Sequence, residues 1–371
     1  MNGINGSEIT KDLSIEIIGA MPARALDQTR EFLIARKQAG EEIEFEEMDV
    51  DRRVDPQEID GSVATLLIVG LPMPKQTRKK TEDPMRGSLA LLEQFSDHHV
   101  EMQREIETVM ERLEGRGLRA SVQVDTGPLL ERAFARAAGA GFQGKNTTII
   151  HPNWGSFFFL GLILLEKEVV LEGTLVEDGC GSCTRCQYAC PLGALENPYR
   201  MDMKRCLSYW TQAKTSVPFW IRERWGNRIY GCDSCQIVCP WNQEQFIEEK
   251  TLLWEETHPE LLAVLAMNKR AFREQFLHTS AGWRGRNVLR RNALLALARP
   301  VCRSGYDQVV PYLQDPSAMI RSTAAWTLIR MDEVKGRALI LKRLEEEKET
   351  SVRQEWTAVL AWKSPGKMTD C

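Results

Sequence analysis

The sequence is short of several things, and each absence removes a class of function. The longest apolar run, Phe157–Leu165, falls well below the ~20 residues that a membrane-spanning helix takes. The first residues, MNGINGSEITKDLSIEI, offer neither a basic segment followed by an apolar one nor a twin arginine. No secretory or Tat signal is expected, and a cytoplasmic location follows. Nucleotide-binding loops are missing as well. In Gly144-Lys145-Asn146 an asparagine stands where a P-loop has Ser or Thr, and the glycine spacing is wrong. The G-x-G-x-x-G pattern there follows a predicted helix instead of opening one, so a dinucleotide site is rejected too. Net charge is only −4, which by itself names no partner.

Other residue types are present in force. A chain of 371 residues with 43% hydrophobic and 27% charged residues has the makings of two or three globular domains. Ten cysteines in a chain with no export signal fit a reducing compartment, where thiolates remain available to metal.

Eight of those cysteines lie between Cys180 and Pro240. The first run is Cys180-x2-Cys183-x2-Cys186-x3-Cys190-Pro191. The second is Cys206, then Cys232-x2-Cys235-x3-Cys239-Pro240. This is the spacing of bacterial ferredoxins carrying two [4Fe–4S] clusters, in which the last cysteine of a run ligates the other cluster. The expected ligand sets are Cys180, Cys183, Cys186 and Cys239 for one cluster, and Cys190, Cys206, Cys232 and Cys235 for the other. Zinc ribbons also use C-x2-C pairs, but they explain neither the third cysteine of the first run nor the two Cys-Pro ends.

Residues 1–171 read as alternating α and β. Ser14–Ile18 and Val63–Val69 are apolar, strand-like runs, and Pro22–Lys37 has helical periodicity. Glu41–Asp51 reads as a solvated acidic surface. A long helix is predicted over 88–114, its stripe being Leu92, Phe95, His99, Met102, Ile106, Met110 and Leu113. A strand over 119–124 then delivers Asp125 to its carboxyl end, where ligands gather in open α/β sheets. Helix capping by Asp125 or Thr126 is the alternative use. Pro128 suits the first turn of the next helix, and Gly139 suits its C-terminal cap. The three glycines and Lys145 of 139–146 imply backbone held close to a ligand. Thr147–Ile150 and Phe157–Leu165 read as further strands. Between the cysteine runs, Lys214, Trp220, Arg222, Arg224, Trp225 and Arg228 form a basic, aromatic interlude, suited to packing on the clusters or to an anionic partner.

From about residue 249 the pattern is helical. Arg290, Arg321 and Arg353 each open an apolar helix at near-constant spacing, as in a short HEAT-type array or an ordinary bundle. Between Lys269 and Arg303 lie nine basic residues, Arg270, Arg273, Arg284, Arg286, Arg290, Arg291 and Arg299 among them. Glu274 is the only acidic residue in that stretch, and Trp283 sits inside it. Such a patch on a net-acidic chain points to nucleic acid.

Taken in order, these motifs resemble the epoxyqueuosine reductase family over nearly the whole chain. They are Val124-Asp-Thr-Gly-Pro with Glu131-Arg, the segment ending Gly144-Lys-Asn146, Gly155-Ser156, both cysteine runs, and Trp283-Arg-Gly-Arg286. Arg53, Cys206-Leu-Ser-Tyr-Trp-Thr-Gln and Gly226-Asn-Arg-Ile-Tyr-Gly-Cys232-Asp match too. The resemblance implies an α/β, nitroreductase-like cobalamin domain (1–171), a two-[4Fe–4S] ferredoxin-like domain (172–248) and an all-α, HEAT-like tRNA-binding domain (249–371). It implies reduction of epoxyqueuosine to queuosine at the tRNA wobble position, through base-off cobalamin and two clusters fed by a low-potential donor, in a monomer. It makes Asp125 the proton donor. Arg53, Asp125, Asn146, Ile149, Leu160, Ser208, Thr215, Asp233 and Ser234 would line the cobalamin. Lys214, Arg270, Trp283, Arg284, Arg286 and Arg291 would meet tRNA. Asp97-His98-His99, where the family commonly has Asp-Tyr-His, and the lack of an aromatic, glycine-containing segment in 89–96 depart from the pattern, on the substrate side of the pocket. A reductive dehalogenase and a non-enzymatic electron-transfer ferredoxin on a scaffold are the competing readings.

Overall fold

The computed structural model describes residues 5–77, 82–91, 98–125, 127–169, 176–247 and 258–363. The chain divides into two compact units: Met1–Arg78, Phe95–Cys206 and Asp233–Thr251 form one, while Lys79–Gln94, Leu207–Cys232 and Leu252–Cys371 form the other. The first cysteine run and most of the second belong to the α/β unit. The basic, aromatic interlude belongs to the helical one.

The first unit is built on a four-stranded sheet. Its strands are β1 (Glu16–Pro22), β2 (Thr65–Pro72), β3 (Ala120–Gln123) and β4 (Phe158–Leu165). The order is β1-β2-β4-β3 and every pairing is antiparallel. β2 is covered on both faces, so its sequence TLLIVGLP is apolar without alternation. Leu67 and Val69 point into one core with Ile163 and Leu165, where helix α2 (His98–Glu114) lays Met102, Ile106, Val109 and Leu113. Leu66, Ile68, Leu162 and Leu164 point the other way, against Leu129, Phe134 and Ala135, the last two carried by helix α3 (Glu131–Ala137). Fully burying one such side chain is worth ~1.5–3 kcal/mol, which explains why the sheet is so apolar at its centre.

Several expectations shift here. The periodic segment from Pro22 splits: Pro22 ends β1, and helix α1 runs Asp27–Gln38. Of the helix expected from Ser88, Ser88–Leu89 is instead a short strand paired with Arg228–Tyr230 in the second unit, and the described helix is His98–Glu114. Leu92, Phe95, Asp97 and Thr126 lie outside the described residues, as do the side chains of His98 and His99. The acidic stretch is not simply solvated. Ile43 is buried, and Glu46 is enclosed between Arg36 (3.3 Å) and Arg53 (3.1 Å). Because the sheet is antiparallel, the rule that ligands gather at the ends of parallel strands does not apply to Asp125. Val122 is exposed because β3 is an edge strand. Helix α3 starts three residues after Pro128 and is entered from Leu130, which makes no side-chain cap bond. Gly139, with φ of +75°, follows its C-cap as expected.

Two short helices carry the cysteine runs: α4 (Arg185–Ala189) and α5 (Ser234–Ile237). They pack on one another within the first unit.

The second unit is helical. Helices α6 (Arg286–Leu297), α7 (Ala318–Met331), α8 (Glu333–Leu344) and α9 (Thr350–Ala361) pack in succession around α7. The recurring arginines have a structural reason. Arg290 reaches Asp315 at 2.5 Å and ties α6 to the turn before α7, and Arg321 reaches Glu347 at 2.8 Å and ties α7 to the turn before α9. The interlude packs on this array. Arg222 pairs with Glu355 at 2.6 Å and lies over Phe219, whose ring stacks on Trp326. Trp225 is buried.

Candidate active site

Asp125 stands one residue past Val124, at the end of β3, in a left-handed conformation (φ +52°). Non-glycine residues adopt that region rarely, and Asp and Asn tolerate it best. The loop that follows is stapled at its base. The Gln123 amide folds across it, donating from Nε2 to the Leu129 carbonyl (2.9 Å) and accepting the Leu129 N–H (3.0 Å). Gly127 is required by this clamp, since a Cβ there would lie 1.9 Å from the Gln123 side chain. The Leu130 N–H donates to the Arg53 carbonyl at 2.9 Å, so Arg53 adjoins the loop through its backbone. Arg53's guanidinium is held by Glu46, while burial pulls its pKa down.

Sequence reasoning gave Glu131 no role beyond the motif match. Its Oε1 accepts the Asp125 N–H at 2.6 Å. Enclosure of its carboxyl, with the charge of Asp125 close by, pushes its pKa up to about 8. Glu131 therefore keeps its proton through neutral pH.

The glycine loop 139–146 meets the first cysteine run through Lys145. The Lys145 N–H points at Cys180 Sγ (3.4 Å), and Lys145 Nζ donates to the carbonyls of Gly181 (2.6 Å) and Cys183 (2.9 Å). Four sulfurs gather beside it. Burial raises the pKa values of Cys180, Cys186 and Cys239. The nearby thiols of the same set, Cys183 included, push Cys186 and Cys239 up further. These are the four cysteines that the spacing assigned to one cluster. Of the other set, Cys190 Sγ accepts the Ala194 N–H at 3.2 Å. Cys190, Cys206 and Cys235 lie in the first unit, whereas Cys232 closes a segment of the second.

Asn146 is buried, and its Oδ1 accepts from the Thr148 hydroxyl (2.9 Å). Its Nδ2 is buried with no partner among the described residues. An orphaned buried donor of this kind costs ~1–3 kcal/mol unless something else accepts from it. Ile149 and Leu160 belong to the apolar cluster around Leu129. Asp233 precedes α5, and Ser234 is its first residue. Ser208 and Thr215 fall in the second unit.

The matches to known proteins follow this layout. Residues 179–242 match the 4Fe-4S double cluster binding domain, and residues 285–361 match HEAT repeats. An epoxyqueuosine reductase from Bacillus subtilis is 34% identical over 94% of this chain and 92% of its own. The chain belongs to the epoxyqueuosine reductase family. A crystal structure of an epoxyqueuosine reductase with an epoxyqueuosine-modified stem loop of tyrosine tRNA superposes with a TM-score of 0.86, at 32% identity and 96% coverage of both chains. A structure of the Bacillus subtilis enzyme with its catalytic aspartate loop swung out of the active site gives a TM-score of 0.83, at 31% identity and 94% coverage of both. As a member of this family the chain is an oxidoreductase with iron–sulfur clusters.

The basic patch in the second unit differs from its appearance in the sequence. Arg291 is buried, so direct contact with RNA is ruled out for it in this conformation. It donates to the carbonyls of Trp210 (2.8 Å) and Ala213 and to Asn292 Oδ1 (2.7 Å). Arg290 is buried against Asp315, Arg299 donates to the Pro84 carbonyl, and Arg303 pairs with Asp332. What stays at the surface is Lys269, Arg270, Arg273, Arg303 and Trp283, with Arg284, Arg286 and Arg299 partly exposed. Trp283 is anchored by Nε1 to the Tyr230 hydroxyl (2.9 Å), and Arg284 stacks on its ring at 4.6 Å. No helix among the described residues is long and apolar enough to cross a membrane.

Proposed function

We propose that this chain reduces the epoxide of epoxyqueuosine in tRNA to the alkene of queuosine, with Asp125 as proton donor. The observation that carries this reading is the left-handed Asp125 turn at the end of β3, in a chain aligned end to end with epoxyqueuosine reductases. Removing an epoxide oxygen as water consumes two electrons and two protons. Asp125 gives a proton to the opening oxygen as a general acid. Glu131 keeps a second proton beside it at neutral pH.

Cys180, Cys183, Cys186 and Cys239 hold one [4Fe–4S] cluster, and Cys190, Cys206, Cys232 and Cys235 hold the other. Cobalamin fits the α/β unit on one physical ground: the unpartnered Asn146 Nδ2 is a buried donor awaiting an acceptor, which corrin amide side chains offer. By the family resemblance, Arg53, Asp125, Ile149, Leu160, Asp233 and Ser234 are the residues of this unit that would line it. When bound, these groups supply electrons to the epoxide, one at a time through the clusters.

The tRNA lies on Lys214, Arg270, Trp283, Arg284 and Arg286, where phosphates meet guanidinium groups and a base stacks on Trp283. A low-potential donor reduces the clusters, and the enzyme works as a monomer in the cytoplasm.

The test uses reconstituted protein with cobalamin, reductant and epoxyqueuosine-containing tRNA. Queuosine should form, and Asp125→Asn should lower turnover at least ~100-fold with iron content and tRNA affinity intact. Undiminished turnover by Asp125→Asn sinks the acid role. No product from wild type, or organohalide turnover equal to that of tRNA, sinks the reaction.

A further inference from the structure

The loop 124–130 is fixed at its far end by backbone-directed bonds: Gln123 to both polar groups of Leu129, and Leu130 N–H to the Arg53 carbonyl. Asp125 sits at the near end, in a backbone conformation that costs energy for any residue with a Cβ. The Asp125 N–H is aimed at Glu131 Oε1, 2.6 Å away and six residues on. Glu131 is the first residue of α3, whose Phe134 and Ala135 are buried in the core. The acceptor is therefore mounted on a rigid element, while the donor is part of a loop under strain.

We propose that Glu131 is the positioning residue of the catalytic loop: by accepting the Asp125 N–H it latches the loop in the left-handed turn that presents the Asp125 carboxyl. This rests on the reading of Asp125 as the proton donor. The groups facing the Glu131 carboxyl are Asp125 on the loop, Gln123 on β3 and Arg132 on α3 itself. With its proton retained, Glu131 presents one carbonyl-like acceptor and one hydroxyl, the same shape as a glutamine amide. Glutamine should therefore replace it, and alanine should not. A relative's catalytic aspartate loop has been captured swung out, so the out position is open to this fold.

The test compares wild type, Glu131→Gln and Glu131→Ala in full-length protein by amide hydrogen exchange, at neutral pH and without substrate. In Glu131→Ala, exchange over 124–130 should rise about tenfold, the population shift expected on losing one hydrogen bond worth ~1 kcal/mol or slightly more. Glu131→Gln should stay within about threefold of wild type. The α3 amides should not change in either variant. In turnover, Glu131→Ala should lose kcat about tenfold at unchanged tRNA affinity, and Glu131→Gln should restore it. Unchanged loop exchange in Glu131→Ala overturns the latch. So does equal acceleration in both variants, or acceleration that includes α3, since that marks general support of the helix. Because exchange is read without catalysis, the latch can fail while Asp125→Asn still proves inactive, and the reverse.

Discussion

Replacing Arg291 by methionine separates what the sequence implied about this residue from what the structure shows. At 2% exposure, the Arg291 guanidinium donates to the carbonyls of Trp210 and Ala213, to Asn292 Oδ1 and, at 3.5 Å, to the Thr215 carbonyl. Methionine preserves most of the volume, so no large cavity confuses the result, but it strands two or three enclosed acceptors. At ~1–3 kcal/mol each, the loss is roughly 2–9 kcal/mol, enough to loosen the 207–215 segment or unfold its unit. Arg270 is the control. Its side chain is 86% exposed and its ion pair with Glu274 is one helical turn long, so Arg270→Ala should move stability by no more than ~0.5 kcal/mol. The assay pairs chemical unfolding with tRNA titrations at several salt concentrations. Arg291→Met should lower the unfolding midpoint sharply. Wherever it remains folded, its salt slope should match wild type, whereas Arg270→Ala should flatten the slope by about one phosphate contact. An Arg291→Met protein of wild-type stability with a flattened slope would refute the reasoning and return the residue to the RNA surface.

Other outcomes can be stated more briefly. Arg284→Ala combined with Trp283→Ala should weaken tRNA binding by ~1–3 kcal/mol through loss of the stacking surface, measured by titration; an unchanged affinity moves the interface elsewhere. Glu131 titrates near 8 in the fold against an ordinary 4.5, so the folded chain binds its proton more tightly than the unfolded one. Between those values stability falls as pH rises. Glu131→Gln should thus gain on wild type progressively from about pH 5 to pH 8, by at most ~5 kcal/mol, in denaturant titrations at several pH values. A pH-independent difference would remove the raised pKa. Cys239→Ser should lower bound iron from about eight to about four atoms per chain, because only one ligand set includes it. Gly127→Ala should displace the Gln123 clamp and speed exchange over 124–130; unchanged exchange would show that Gln123 has another place to go.

The parts of this protein legible in the sequence were those whose signal is local. Cysteine spacing, the apolar strands β2 and β4, and the helices opened by Arg290, Arg321 and Arg353 depend on neighbours a few residues away. The places of individual charges were not legible. Arg290 finds Asp315 and Arg222 finds Glu355 only after the helices stack, so a run of like charges dissolved into buried pairs. Glu41–Asp51 misled for the same reason, because Glu46 is claimed by Arg36 and Arg53. Strand direction was equally hidden: β3 pairs antiparallel to β4, which no periodicity records. Asp125 was found by resemblance, but its partner Glu131 needed coordinates, since nothing in a six-residue separation announces a backbone contact.

The junction between β4 and the second cysteine run has a further consequence. Asn242 is fully buried; its Oδ1 accepts the Ser156 N–H (2.7 Å), and its Nδ2 donates to the Ser156 hydroxyl (2.9 Å) and the Gln236 carbonyl (2.7 Å). Gly155 must be glycine, since a Cβ would stand 2.0 Å from Asn242 Oδ1. This closed network ties the backbone around Cys235 and Cys239 to the end of a strand in the central sheet, and fully satisfied buried networks are stiff. A cluster held there would meet a frame with little freedom to rearrange when its charge changes, so the protein's share of the reorganisation energy would be small.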